Sequence, residues 1–405
     1  MNGQQGREPS VCLLTGSFFP RVGGGETHAR LLARELLALG TPVWVLTRRH
    51  ERTLPAIDEV DGVRVRRIGP SGAPRWGKYL MLPGAIATLI RERNHFDVIY
   101  VCGLRVLGLA GVIAALLLRK RVILRSEACG EWSGAFLFAG AAVPRKLPWP
   151  ARLAIGARNA LYLRADRFLA ISRVIEQEYI EGGIPPAKIL RIPNGIEFRN
   201  FTPPAPQERE TLRKTLGVEN KFVFAYSGKL NRGKGLERLL RVFGELAAQY
   251  PQIHLLLIGA GGSQFLSCEE ELRRFTAEHK LEPRVTFTGY TDRVADYLKA
   301  SDAFVFPSES EAHPLALIEA MACGLPAFAS NVGGIPDIIT DGKDGRLLPP
   351  YDEAAWRTAM ADALLQPEAS RRLGLAAAES VRARYAIREI ARQHQEAFRS
   401  LINRG

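Results

Sequence analysis

Residues 303–326 read AFVFPSESEAHPLALIEAMACGLP, and this stretch indicates the fold. A short apolar run, Ala303–Phe306, is typical of a buried strand, and a polar loop follows it. Pro314 suits the start of a helix that carries Leu317 and Ile318. A buried strand that leads through a loop into a helix is the repeating unit of a parallel α/β sheet.

The same alternation of short apolar runs and helical stretches extends in both directions, with a pause at the proline-rich stretch Arg199–Leu212. The chain has 405 residues, more than the roughly 250–300 at which single cores stop growing. The predicted strands are Ser10–Thr15, Val43–Thr47, Asp97–Val101, Val122–Arg125 and Arg167–Ala170, then Phe222–Ser227, His254–Ile258, Val285–Phe287, Ala303–Phe306 and Ala327–Ala329. We therefore predict an α/β protein with two Rossmann-like domains, over residues 1–200 and 201–385. A helix over 386–405 is expected to pack back towards the first domain. Parallel sheets bind ligands at their carboxyl ends, so we expect the two sheets to face a central cleft.

Composition limits the cellular setting. The net charge of +13 favours an anionic partner, and five scattered cysteines without a C-x-x-C spacing suit a reducing compartment. The first residues carry no apolar signal stretch, and the longest apolar run, Val106–Leu118, is shorter than the ~20 residues that span a bilayer. That run predicts a buried helix. We expect a cytoplasmic protein, with peripheral attachment to the inner face of the plasma membrane as one setting.

One segment favours such attachment. Leu147–Arg164 combines Trp149 and Leu153 with Arg152, and this pattern predicts a helix that rests on an anionic bilayer. The alternative is an ordinary packed helix with a solvated face.

Two glycine-rich loops follow predicted strands. Gly24 and Gly25 open a helix, where free N–H groups favour phosphate, although the spacing is not G-x-G-x-x-G and a simple tight turn is the alternative. The loop of residues 228–235, GKLNRGKG, places Lys229 and Lys234 where they can clamp a diphosphate. It is not a P-loop, and a solvated basic loop is the alternative.

Glu311 and Glu319 are eight positions apart. The first is expected before the helix that follows Pro314 and the second about one turn inside it. Carboxylates in such a place accept hydrogen bonds from sugar hydroxyls without a metal. The alternative is that one only complements the helix dipole and that the other is a surface residue.

Residues 305–336 closely resemble the family-four retaining glycosyltransferases of the GT-B fold. The signature of that family is E-x7-E followed by A-M-A-x-G-x-P and G-G-x-x-E. The G-G-x-E loop at residues 23–26, the A-I-S of residues 170–172 and the I-P-N-G-I of residues 192–196 agree, so that the resemblance covers nearly the whole chain in the right order.

The resemblance implies roles for individual residues. Glu319 would bind the ribose hydroxyls, Glu311 the transferred sugar, and the two lysines the diphosphate, with backbone N–H groups around His313 assisting. The donor-binding positions implied are Gly24, Gly25, Lys229, Lys234, His313, Leu315 and Glu319, and the catalytic candidates are Glu311, Lys234 and Glu127.

The chain departs from the family pattern at several positions. Lys229 stands where many relatives have arginine, and Asp337 replaces the glutamate after the second glycine pair. Relatives often carry a histidine after the strand that here is Val122–Arg125, and Glu127 lies nearest that place. Glu127 either contacts the acceptor hydroxyl or pairs structurally with Arg125.

The function that we predict is retaining transfer of a sugar from a nucleotide-diphospho-sugar to a hydroxyl of a glycan or lipid-linked acceptor, in cell-envelope polysaccharide or lipopolysaccharide synthesis. The sequence contains no D-x-D pair, so we expect neither a metal nor another cofactor. A nucleotide-sugar 2-epimerase on the same fold is the alternative enzyme. A basic nucleic-acid-binding protein is disfavoured, because no motif of that class occurs.

Overall fold

The computed structural model describes residues 7–72, 77–138, 148–262 and 266–402. The described residues divide into two compact units. The first comprises those up to Gly195 together with those from Ile387, and the second runs from Ile196 to Ala386.

The first unit is an eight-stranded sheet with helices between its strands. The strand order is β3-β4-β2-β1-β5-β6-β7-β8, and every neighbouring pair is parallel except β3 and β4. The strands are β1 Val11–Thr15, β2 Val43–Arg48, β3 Ile57–Val60, β4 Val63–Ile68, β5 Val98–Cys102, β6 Arg121–Arg125, β7 Arg167–Ala170 and β8 Ile189–Arg191. The helices are α1 Gly24–Ala38, α2 Gly77–Leu80, α3 Leu82–Arg91, α4 Leu107–Leu118, α5 Trp149–Tyr162 and α6 Arg173–Glu181.

The second unit contains a six-stranded sheet in the order β11-β10-β9-β12-β13-β14, in which all neighbours are parallel. Its strands are β9 Phe222–Ser227, β10 Ile253–Ile258, β11 Val285–Gly289, β12 Ala303–Phe306, β13 Ala327–Ser330 and β14 Arg346–Leu348. Its helices are α7 Pro206–Leu216, α8 Leu236–Gln249, α9 Glu269–Glu278, α10 Val294–Ala300, α11 Leu315–Ala322, α12 Ile335–Ile338, α13 Glu353–Leu365 and α14 Pro367–Arg384. The central strands are buried apart from the first residue of β9, because helices cover both faces of the sheet.

The last helix of the chain, α15 Ile387–Ile402, belongs to the first unit. It packs against α1, and its residues Phe398 and Leu401 are buried there. The His394 ring lies 3.0 Å from the Tyr100 hydroxyl of β5, measured from Nε2 to Oη. The core of the first unit is therefore completed by the end of the chain.

The α/β prediction with two parallel sheets is confirmed, and each predicted strand is present within two residues of its predicted bounds. The predicted linker at Arg199–Leu212 is wrong in part. The second unit begins at Ile196, and Pro206 starts α7, because proline fits the first turn of a helix, where its missing N–H is not needed. The apolar run Val106–Leu118 forms α4 as expected. None of the described helices is both long and apolar enough to cross a membrane.

Candidate active site

Each sheet has one point at which the strand order reverses. In the second unit this point lies between β9 and β12, and in the first between β1 and β5. Loops that leave the carboxyl ends of such neighbouring strands diverge to opposite faces and leave a crevice, where open α/β sheets bind ligands. Most candidate residues lie in these loops or in the helices that follow them, and Glu127 lies in the loop after β6, the strand next to β5.

Lys234 and Glu311 meet at the reversal point of the second sheet. Lys234 lies in the loop after β9 and Glu311 in the loop after β12, and the Lys234 Nζ is 2.6 Å from the Glu311 Oε1. The side chains retain 28% and 12% of their exposure, so the pair is largely withdrawn from water. The Glu309 N–H donates to the Gly233 carbonyl at 2.9 Å and ties the two loops together. An ammonium group has three donors, so Lys234 can bond to Glu311 and to phosphate oxygens at once.

The glycine pair Gly333-Gly334 holds the backbone of Glu311. The Gly334 N–H donates to the Glu311 carbonyl at 2.9 Å. Gly333 has a φ of +54°, and a Cβ built there would lie 1.9 Å from the same carbonyl oxygen. Only glycine fits this turn, so the second glycine motif of the sequence has a structural task, which is to position the loop that carries Glu311.

Glu319 lies in the second turn of α11 and is half-buried. Its carboxylate accepts no hydrogen bond from, and forms no ion pair with, the residues that the structure describes. Burial raises the pKa of this carboxyl to about 7. A half-buried carboxylate without protein donors costs stability, because desolvation disfavours its charged form. It is instead suited to accept two hydroxyl groups of a ligand. Glu319 is thus not a freely exposed surface residue, and its contact with a ribose stays a prediction.

The remaining donor candidates surround the start of α11. Leu315 is its first residue, and no side chain caps this end, so backbone N–H groups are left to bind an anion. The imidazole of His313 is buried and packs edge-to-face on the Tyr385 ring, with the ring centres 5.1 Å apart. Its side chain therefore packs against Tyr385 within the second unit. Lys229 is exposed and has no side-chain partner among the described residues.

The first unit contains a cavity of about 380 Å³ at its own reversal point. The cavity is lined by the loops after β1, β2, β5 and β6 and by the start of α1. Its polar lining residues include Glu26, Arg48, His50, Arg105 and Glu127. A space of this size with donors and acceptors of both charge types suits a polyhydroxylated ligand.

Glu127 is seated in this cavity by close contacts. Its Oε1 accepts a hydrogen bond from the Arg125 Nη1 at 3.1 Å, and its side chain is 31% exposed. A Cβ built on Gly25 would lie 3.2 Å from the same oxygen. Burial raises the pKa of the Glu127 carboxyl, which the nearby Arg125 charge opposes. Glu127 therefore both pairs with Arg125 and lines the cavity, and Gly25 leaves room for it.

Sequence analysis gave Arg125 as a possible partner of Glu127, but it did not predict the burial of Arg125 or its contact with Asn194. Its guanidinium is almost fully buried, and its Nη2 donates to the Asn194 Oδ1 at 2.6 Å. It thus joins Glu127 to Asn194, which lies just before the second unit begins at Ile196. The contacts of Glu131 were not predicted either, since it accepts from the Leu104 N–H at 2.9 Å and pairs with Arg105 at 2.9 Å. A charged residue at the end of an otherwise apolar strand is the signal that points to Arg125.

A further cavity of about 680 Å³ lies at the opposite, amino-terminal edge of the second sheet. Its main charged groups are already paired, because Arg209 and Arg213 both bind the Asp302 carboxylate, at 2.5 and 3.0 Å. None of the sequence candidates lines it. It therefore has the character of a structural groove.

Two family models match the chain. The model described as Glycosyltransferase Family 4 matches residues 22–200, and the model described as Glycosyl transferases group 1 matches residues 208–380. The first match contains the Gly25 loop and Glu127, and the second contains Lys234, Glu311 and Glu319. The two matches thus include every candidate residue of both reversal points.

Relatives agree with the models. A D-inositol 3-phosphate glycosyltransferase of Kribbella flavida is 27% identical, over 88% of this chain and 86% of that protein. Among solved structures, sucrose-phosphate synthase from Thermosynechococcus elongatus has a TM-score of 0.81 at 25% identity and covers 98% of this chain and 100% of its own. Anabaena HepE in complex with UDP-glucose has a TM-score of 0.78 at 20% identity and covers 97% of this chain and 100% of its own. The protein therefore belongs to the group 1, family-four-like glycosyltransferases and has the GT-B fold.

Proposed function

We propose that the protein is a retaining glycosyltransferase that transfers a sugar from a nucleotide-diphospho-sugar to a hydroxyl of a glycan or lipid-linked acceptor. The pathway that we propose is the synthesis of cell-envelope polysaccharide or lipopolysaccharide. The proposed binding of the nucleotide-sugar donor rests on one observation. The second unit contains both the Lys234–Glu311 pair and the carboxylate of Glu319, which has no partner among the described residues. HepE, which has a similar fold, binds UDP-glucose, and this supports a nucleotide-sugar as donor.

The donor residues divide the substrate between them. Glu319 accepts the ribose hydroxyls, and Lys234, with Lys229 and the N–H groups at the start of α11, holds the diphosphate. Charge builds up on the diphosphate as it leaves, and preorganised positive groups stabilise that charge. Glu311, held beside Lys234, contacts the transferred sugar.

The acceptor is assigned to the cavity of the first unit. Glu127 lies where it can hydrogen-bond an acceptor hydroxyl, and its raised pKa brings it closer to the range in which a carboxylate takes up a proton at neutral pH. In a retaining transfer the leaving phosphate can itself accept the hydroxyl proton on the same face of the sugar. Glu127 then orients the hydroxyl.

A phosphorylated polyol is a second candidate acceptor. The cavity is lined by Arg48 and Arg105, whose guanidinium groups suit a phosphate. The relative from Kribbella flavida is named for an inositol phosphate.

A screen tests the proposed function. Thermal stabilisation by UDP, GDP and ADP identifies the nucleotide, and slow hydrolysis of the corresponding nucleotide-sugars identifies the donor. Transfer is then assayed with hydroxylated and phosphorylated acceptors. Release of an epimerised sugar without any acceptor would instead establish the 2-epimerase.

Activity is expected to be independent of divalent metal, because the chain has no D-x-D pair and positive side chains hold the diphosphate. Transfer is measured in excess EDTA and after addition of Mg²⁺ or Mn²⁺. Full activity in EDTA supports the proposal. Activity that disappears in EDTA and returns with metal contradicts it.

Glu127→Gln is expected to lower kcat/KM for the acceptor by about 10²-fold, the scale of a lost positioning contact, because the carboxylate that orients the acceptor hydroxyl is removed. Affinity for the nucleoside diphosphate should stay unchanged, because Glu127 lies in the other unit. Glu51→Gln, at an exposed position of the first unit, is the control. Equal acceptor kinetics in the two variants would reduce Glu127 to a structural partner of Arg125.

A further inference from the structure

The guanidinium of Arg125 is enclosed in the first unit, at the carboxyl end of β6. The residue is only 1% exposed, and a charged group is buried to this degree only when it is paired and hydrogen-bonded. Its Nη1 donates to the Glu127 Oε1 at 3.1 Å, and its Nη2 donates to the Asn194 Oδ1 at 2.6 Å. Because a guanidinium is planar and rigid, these two contacts together fix its orientation.

The contact with Asn194 comes from a distant part of the chain. Asn194 follows β8 and is buried, and it is 69 positions away from Arg125. The next residue, Gly195, donates its N–H to the His28 Nδ1 of α1 at 3.3 Å and so holds this segment in place. The Asn194 side chain is a neutral amide, so it does not neutralise the guanidinium. Its contribution is to orient the guanidinium.

The two oxygens of the Glu127 carboxylate have different surroundings. Oε1 accepts the hydrogen bond from Arg125, whereas Oε2 accepts none from the residues that the structure describes. A Cβ built on Gly25 would lie 3.2 Å from Oε1, and a Cβ built on Gly103 would lie 3.5 Å from Oε2. Both glycines line the cavity of the first unit. One oxygen of the carboxylate is therefore held by the protein, and the other is left for a ligand.

We propose that Arg125 is a positioning residue for glycosyl transfer, which holds Glu127 by Oε1 so that Oε2 accepts the hydrogen bond of the acceptor hydroxyl. Asn194 supports the arginine in this task. The inference rests on the proposed function, since that function places the acceptor in this cavity. A carboxylate that turned freely would meet the hydroxyl in many orientations, and a misplacement of about 1 Å can lower a rate by about 10²-fold.

The charge of Arg125 acts on Glu127 together with other titratable groups. Burial raises the pKa of the Glu127 carboxyl, and the charge of Arg125 opposes this rise. Glu131 and Glu26 raise the pKa further, whereas Arg105 lowers it. Further titratable groups around the carboxylate are Arg48, His50, Tyr100 and Cys102. Loss of the Arg125 charge should therefore raise the pKa of Glu127.

The test compares substitutions in two backgrounds, the parent chain and Glu127→Gln, in transfer assays at saturating donor. In the parent chain, Arg125→Met is expected to lower kcat/KM for the acceptor by about tenfold or more, and Asn194→Ala by less. In the Glu127→Gln chain, each should change kcat/KM by less than about twofold, because the carboxylate that they position is already absent. Arg125→Lys keeps the charge and should restore part of the activity.

The pH dependence separates positioning from a loss of stability. The ionised carboxylate of Glu127 is the form that orients the hydroxyl, so kcat/KM for the acceptor falls as the pH drops through its pKa. Arg125→Met removes the charge that lowers this pKa, so the acidic limb of the profile should move to higher pH. Asn194→Ala leaves that charge in place and should not move the limb.

Arg213→Met is the control, because Arg213 is a buried arginine at the amino-terminal edge of the second sheet. It should lower thermal stability and leave the acceptor kinetics unchanged. Equal losses from Arg125→Met in both backgrounds, or an acidic limb that does not move, would overturn the inference alone. If Arg125→Met does not fold, Asn194→Ala in the two backgrounds decides. A parent chain that transfers no sugar would overturn the proposed function and this inference with it.

Discussion

Glu319→Gln is expected to abolish most of the nucleotide affinity and at the same time to raise the stability of the second unit. The loss follows because the variant replaces a charged acceptor of two ribose hydroxyls by an amide. The gain follows because the carboxylate is half-buried and has no partner among the described residues, so its charge costs free energy in the folded state.

The pH dependence has a definite sign. The folded pKa of Glu319 is raised to about 7 from an ordinary value of 4.5. Protonated Glu319 therefore makes its full contribution to the free energy of unfolding below about pH 4.5, and this contribution is lost as the pH rises to 7. One pKa unit corresponds to about 1.4 kcal/mol. After allowance for solvent screening, we expect Glu319→Gln to stabilise the unit by about 2 kcal/mol at pH 8 and by little near pH 4.5.

Thermal unfolding between pH 5 and pH 8 checks the stability, and calorimetry with the best-binding nucleoside diphosphate checks affinity. Glu237→Gln is the control, because Glu237 is an exposed glutamate in the first turn of α8 and should lose a few tenths of a kcal/mol. A Glu319 variant that behaves like Glu237→Gln would show that Glu319 only complements a helix dipole.

Lys234→Ala is expected to lower kcat/KM by about 10²-fold or more, since it removes a positive group from the leaving diphosphate. It also removes the ion pair between Lys234 and Glu311. Lys234→Arg should restore part of the activity. Glu311→Gln should lower kcat and leave affinity for the free nucleoside diphosphate nearly unchanged, because its contact is to the transferred sugar.

The ion pair makes these two effects dependent on each other. The Lys234→Ala and Glu311→Gln double variant should lose less than the product of the single losses, since the two changes remove the two sides of one ion pair. Arg232→Ala is the control, because Arg232 lies in the same loop but pairs with Glu271 at 2.5 Å. Independent losses, or a Lys234 variant with parental kinetics, would place Lys234 among the solvated loop residues.

The sequence predicted those strands and helices that are determined by the pattern of neighbouring residues. Largely apolar strands such as Val11–Thr15 and Phe222–Ser227 were found at their positions, because a strand buried on both faces needs a nearly continuous apolar run. The hairpin of β3 and β4 was missed, since its strands alternate between exposed and buried residues. Its turn, Asp61-Gly62, has φ of +52° and +79°, and an Asp-Gly pair is the usual signal for such a turn.

The candidate sites were predicted as sets of residues and not as contacts. The order of motifs indicated Lys234 and Glu311, but their 2.6 Å contact depends on β9 and β12 being neighbours, which is a property of the sheet. The space that Gly25 leaves for Glu127 likewise joins loops a hundred residues apart in the chain. Strand β14 was missed because it is three residues long and partly exposed.

The position of α15 has a consequence for how the protein is made on the ribosome. The first unit lacks the helix that packs on α1 until Ile387–Ile402 has been synthesised, whereas the second unit is one continuous segment, Ile196–Ala386. The usual order, in which the N-terminal domain of a nascent chain folds first, is thus reversed for completion of the core. In a nascent chain that has been synthesised only as far as Gly195, the apolar side chains that will pack on Phe398 are still exposed to water. These apolar side chains stay exposed until α15 has been synthesised and packs on them.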